Sequence, residues 1–229
     1  MADIDVCTYI CIRNKITTEE QMKKVLLIVA LGLVQTTVNA QVNRAVMAAA
    51  PATATSWTLD KSHSGVKFGV DHLVISEVEG SFKVFSGSMT SPTPDFNNAK
   101  VDFSVDVNSI NTDDEKRDGH LKSDDFFNAE KFPAMKFTST SFKKIKGNAY
   151  VMEGDLTIRD VTKKVKWAVI YGGTVKDPWG NIKAGFKASA KINRKDFGLK
   201  YGPVTEAGGA VVGDEVRMIV NVEFAQAKG

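Results

Sequence analysis

From Trp57 to Phe224 the chain repeatedly alternates apolar and polar residues with a period of two. Val66, Phe68 and Val70 alternate with Lys67, Gly69 and Asp71, and Val101, Phe103, Val105 and Val107 with Lys100, Asp102, Ser104 and Asp106. The same pattern returns at 150–158, 165–171, 182–192 and 216–224. Such a period puts each apolar set on one face of a strand. With the runs near 79–90 and 134–142 it predicts about eight strands. Turn signals separate them: Ser91-Pro92-Thr93-Pro94, Lys146-Gly147-Asn148 and Asp177-Pro178-Trp179-Gly180-Asn181. Short turns make most pairs antiparallel. Eight strands with one apolar face close into a barrel or stack as a sandwich. The long strands and one long insertion favour an all-β, eight-stranded antiparallel barrel, which also removes exposed sheet edges.

The insertion runs from Ile110 to Phe132 (INTDDEKRDGHLKSDDFFNAEKF) and is too long for a hairpin turn. It is acidic and helix-compatible near 113–130. Thr112 or Asp113 is expected to cap a short helix, and Gly119 to interrupt it. Asp124 is expected to start a second turn that carries Phe126 and Phe127 inward.

The N-terminal part has a different character. Met22-Lys23-Lys24, the apolar run Val25–Val34 and the polar stretch ending in Val38-Asn39-Ala40 form the three parts of a secretory signal. The apolar run falls short of the roughly 20 residues a membrane span needs. Residues 1–21 then read as an extension ahead of the true start, 22–40 as the signal peptide, 41–56 as a flexible Ala/Thr-rich leader and 57–226 as the barrel domain. This predicts a secreted, periplasmic product without a membrane span. Both cysteines, Cys7 and Cys11, fall in the discarded part, so no disulfide is expected in the mature chain. Clustered lysines such as Lys143-Lys144-Ile145-Lys146 read as solvated strand edges rather than a nucleic-acid patch. Exposed residues of the last strand leave a homodimer open.

No catalytic pattern stands out. There is no Gly-x-Ser-x-Gly elbow, and the acidic insert lacks calcium-loop spacing. His63, His72 and His120 have no metal-ligand spacing and are expected to hydrogen-bond structurally. The inward aromatics are more informative. Many large rings interleave with Ala184, Ala188 and Ala190, a lining able to leave an apolar tube. Arg117-Asp118-Gly119-His120 would sit at the mouth of such a barrel, as a head-group site or as a salt bridge tying the insert to the rim.

Together these segments resemble the YceI-like family of lipocalin-like, polyisoprenoid-binding proteins. The resemblance rests on Trp57-x-Leu59-Asp60-x-x-His63-Ser64, Gly80-x-Phe82-x-x-Phe85-x-Gly87, Arg117-Asp118-x-His120-Leu121, Asp125-Phe126-Phe127, Gly154-x-Leu156-Thr157-Ile158-Arg159 and Arg194-x-Asp196-Phe197-Gly198-Leu199, in order. It implies a barrel tunnel holding an isoprenoid lipid or quinone as the bound partner, with no cofactor, no metal and no enzymatic activity. Phe68, Phe82, Phe85, Phe103, Phe126, Phe127, Phe137 and Trp167 become the candidate tunnel residues. His63, Arg117, Asp118 and His120 become the candidate rim. A filled barrel with a structural or stress-related role is the rival expectation. Asp160 departs from the glycine common in the family and is expected to keep the turn through its tolerance of left-handed φ.

Overall fold

The structure is a computed structural model and describes residues 54–205 and 208–228. The expected extension at 1–21 and signal segment at 22–40 lie outside the described residues, as does 41–53 of the leader. Among the described residues no helix is long and apolar enough to cross a membrane.

Ten strand segments fill eight positions of one closed antiparallel barrel. They are β1 (Thr55–His72), β2 (Ser76–Phe82), β3 (Phe85–Ser91), β4 (Lys100–Asp106), β5 (Ile110–Asn111), β6 (Ala134–Lys146), β7 (Ala149–Ile158), β8 (Val161–Lys176), β9 (Ile182–Asn193) and β10 (Val212–Gln226). The ring runs β10-β9-β8-β7-β6-β4-β3-β1 and closes through β1 on β10. The expected single run at 79–90 breaks at Lys83-Val84. There Ser109 holds both residues, accepting from Lys83 N–H through its carbonyl at 3.1 Å and from Val84 N–H through its hydroxyl at 3.0 Å. β3 therefore pairs with the first part of β1 and β2 with the second, while β5 continues β4 along β2.

A bulge in β1 follows from its own sequence. Trp57 and Leu59 face inward at odd positions, whereas Val66 is buried inward at an even one. A strand cannot change parity without an extra residue. The pairing with β10 accordingly shifts between Asp60↔Glu223 and Gly65↔Asn221. Ser64 Oγ pins the bulge, donating to Asp60 C=O at 2.6 Å and accepting from Glu223 N–H at 3.0 Å. On the outer surface beside it, Lys183 Nζ donates to Asp60 Oδ2 at 2.5 Å and Glu223 Oε1 at 3.1 Å. The Lys183 and Ser62 hydrogen bonds hold the Asp60 carboxyl well below the usual carboxylate range, and those to Asp60 and Glu223 push the Lys183 ammonium up.

The end of the barrel where β1 begins and β10 ends is closed by an aromatic cluster. Phe96, 2% exposed, meets Trp57, Tyr171 and Phe186 with ring centroids 5.1–5.3 Å away. Phe142 and Phe224 complete the cluster around Phe186. Ala184, expected to help leave a tube here, is instead fully covered. The plug enters from the β3–β4 loop, where Phe96 takes a left-handed φ of 60°.

The insert forms α1 (Glu115–Lys122), capped by neither expected residue but by Asp114, which accepts from Arg117 N–H at 2.9 Å. Asp113 has a left-handed φ of 60°, and the Thr112 hydroxyl donates to Asp118 instead. The helix runs through Gly119. An interior glycine costs only about 1 kcal/mol relative to alanine, which the cap and the Thr112–Asp118 contact offset. The turn after α1 is closed by Phe126 N–H donating to Ser123 C=O, so Ser123, not Asp124, starts it. In the β7–β8 turn the left-handed residue is Arg159 (φ 58°), so Asp160 does not carry the role expected of it.

Two outcomes follow. Phe96→Ala leaves a cavity in the plug and should cost about 3–5 kcal/mol by denaturant titration. Asp60→Asn should lower Tm at neutral pH. A carboxyl with a depressed folded pKa stabilises above its unfolded value, about 3.9, and loses that contribution as pH falls through the folded one. The Tm gap between wild type and Asp60→Asn should therefore stay constant down to about pH 4 and close in stronger acid.

Candidate functional site

The other end of the barrel is hollow. A chamber of about 410 Å³ opens between β1, β2, β10, α1 and the residues Arg194, Leu199, Tyr201 and Val211. Val66, Phe68, Val70, Phe82, Val105, Leu156, Val216, Met218 and Val220 give it an apolar wall. A second, wholly apolar space of about 80 Å³ lies deeper. Phe103, Phe137, Trp167 and Val220 border both spaces and form the partition between them. Phe137 and Trp167 meet edge to face, with centroids 5.8 Å apart.

Nine of the twelve residues expected from sequence line the chamber: Phe68, Phe82, Phe103, Phe126, Phe127, Phe137, Trp167, Arg117 and His120. Three do not. Phe85 is buried behind Phe103 and stacks on it at 5.9 Å. Asp118 is buried and serves the architecture, its Oδ1 accepting from Thr112 N–H at 2.9 Å and Thr112 Oγ1 at 2.6 Å. His63 belongs to the Asp60 cluster on the β1 bulge, 3.1 Å from Asp60 Oδ2, and does not line the chamber.

The mouth is polar. Arg117 and His120 lie nearly one helical turn apart on α1 and so share a face. Arg117 Nε donates to Thr112 Oγ1 at 2.8 Å and Nη2 to Thr112 C=O at 2.7 Å. Its Nη1 stands 4.0 Å from Asp114 Oδ2, which leaves donors available at the rim. His120 Nε2 lies 2.8 Å from Asp125 Oδ2. Its ring packs edge-on against Phe126 and Tyr201, at 5.2 and 4.7 Å.

Sequence reasoning assigned no role to Arg194, Leu199 and Tyr201. Arg194 is 3% exposed. Its guanidinium donates to the carbonyls of Gly213 (2.8 Å), Leu199 (2.7 Å), Tyr201 and Val212. It ties the loop that brings Leu199 and Tyr201 to the mouth. Burial pulls its pKa down while Asp214, 3.3 Å from Nη2, counters in part. The signal lay in the Arg194-x-Asp196-Phe197-Gly198-Leu199 run, but the carbonyls it satisfies lie up to 19 residues away and carry no side-chain pattern.

The class the geometry defines is a closed β-barrel with an apolar chamber and a polar mouth, the form of a barrel able to enclose an apolar ligand. The chain belongs to the YceI-like family: the YceI-like domain model matches residues 57–224. It is 39% identical over 179 residues to Protein YceI of Salmonella newport, covering 77% of this chain and 90% of that protein. The Campylobacter jejuni YCEI protein is similar at 34% identity and a TM-score of 0.59, over 69% of this chain and 90% of that one. A polyisoprenoid binding domain from Saccharophagus degradans, implicated in plant cell wall breakdown, shares the fold at a TM-score of 0.53 and 17% identity, over 75% of this chain and 98% of that one.

Asp118→Ala strands the Thr112 donors and unseats α1. It should cost about 1.5–3 kcal/mol in chemical denaturation, the range for hydrogen bonds to charged groups.

Proposed function

We propose that the protein sequesters or carries one isoprenoid lipid, a polyprenyl phosphate or an isoprenoid quinone, in the chamber of each barrel. The carrying observation is the chamber itself: an apolar wall that ends at the Phe103–Phe137–Trp167 partition and opens past Arg117, His120 and Tyr201. The mechanism is binding without chemistry. The tail leaves water and contributes roughly 25 cal/mol per Å² of apolar surface buried. The head group stays at the rim, where Arg117 and Tyr201 present donors and His120 a donor or acceptor. The Saccharophagus domain, described as polyisoprenoid binding, supports the choice of ligand class by analogy of fold. The signal-like segment at 22–40 supports an exported, periplasmic setting, where such a lipid needs an aqueous carrier.

The hollow half speaks against the rival reading of a filled barrel acting through its surface. Met218 projects into the chamber from β10. Met218→Trp should narrow that space, weaken uptake of farnesol and longer prenols in a titration, and leave Tm near the wild-type value. Undiminished uptake by Met218→Trp, or no uptake by wild type, would sink the proposal.

A further inference from the structure

The β1–β2 hairpin ends in Leu73, Val74 and Ile75. All are exposed, Val74 at 76% and Ile75 at 84%. They stand at the mouth: Asp71 and His72, just before them, line the chamber. Leu73 N–H donates to Val211 C=O, and Val211 N–H to Pro203 C=O, each at 3.1 Å. That link brings Val204, 69% exposed, to the same rim. The turn does not require these residue types. Ile75 N–H donates to His72 C=O at 3.2 Å, and the central residues Leu73 and Val74 have φ of 52° and 62°. Two positive φ values select Asn-Gly or Asp-Gly, and a β-branched residue there is an outlier. The hairpin thus holds strained backbone and exposed apolar side chains together, and neither favours the free protein in water.

We infer that this hairpin is a membrane-docking finger: Leu73, Val74 and Ile75, with Val204 beside them, insert among the head groups of a bilayer and seat the mouth where an apolar ligand enters. The inference rests on the lipid-binding reading of the chamber. A bilayer fits better than a protein partner, because four side chains are far fewer than the roughly 20–30 residues a side of a stable protein interface. The neck is also charge-paired. Arg217 Nη2 meets Asp71 Oδ1 at 3.1 Å and Glu77 Oε1 at 2.6 Å, so attachment is apolar and insensitive to salt. Trp179, 81% exposed, lies on the β8–β9 hairpin at the opposite end and serves as a control.

The test uses the full chain and phosphatidylcholine vesicles carrying a head-group spin label, read by broadening of backbone amide signals. Broadening is expected at residues 73–75 and 204 and not at Trp179. The variant Leu73→Asn/Val74→Gly supplies the residues the turn prefers. It should raise Tm, weaken tip broadening by about tenfold or more, slow uptake of farnesol from vesicles, and leave uptake from detergent unchanged. Broadening centred on Trp179, spread evenly or absent, or equal docking by the variant, would overturn the inference. So would tip broadening that grows with protein concentration without vesicles, which would assign the tip to a second copy. Failure of wild type to take up farnesol from either source counts against the ligand reading alone, and the amide broadening still decides the docking.

Discussion

Everything in this protein depends on the pairing of β1 with β10. It closes the sheet from Trp57↔Gln226 to His72↔Val212 and removes the free edges an open sheet would leave. Closure also creates an inside that eight strands alone do not define. Because β1 changes parity at its bulge, both of its halves present apolar residues to that inside, opposite Phe224 in one half and Val220, Met218 and Val216 in the other. Ser64 and the Asp60–Lys183–Glu223 cluster both hold the bulge across one strand pair. A local irregularity is therefore what allows a continuous barrel wall.

The two halves of that inside have opposite fates. At the terminal end, a loop phenylalanine, Phe96, completes an aromatic plug. At the other end, α1 and the Arg194-tied loop lean over the opening without filling it. The division fits the chemistry of each segment. The plug needs only ring packing, whereas the mouth needs backbone carbonyls and hydroxyls satisfied by polar side chains: the buried Arg194 for the loop, and the buried Asp118 with the half-buried Arg117 for Thr112. Those groups fix the position of the polar rim relative to the apolar wall. A blind chamber with one polar mouth also suits a ligand that is apolar along most of its length and polar at one end.

Much of this was legible in the sequence, because period-two alternation determines strand faces directly. The eight strand positions, the barrel and most of the ring-lined wall come from that alternation, and the inward Phe126 and Phe127 from the reading of the insert. What escaped had no periodic signature. Phe96 sits in a turn, at a left-handed φ that sequence does not advertise. Phe85 shares the parity of the wall but is screened by Phe103, since alternation gives a face and not a depth. His63 looked like a rim residue because the family motif carries it, yet the bulge sends it to the outer surface. Arg194 acts on carbonyls, which every residue has.

The central claim is that the chamber holds a lipid. Native mass spectrometry of the protein purified from its own host, followed by lipid extraction and mass identification, tests it most directly. The account predicts one co-purifying isoprenoid per barrel, reduced in Met218→Trp. A clean mass for the ligand-free protein, with no prenol or quinone taken up on addition, would contradict it.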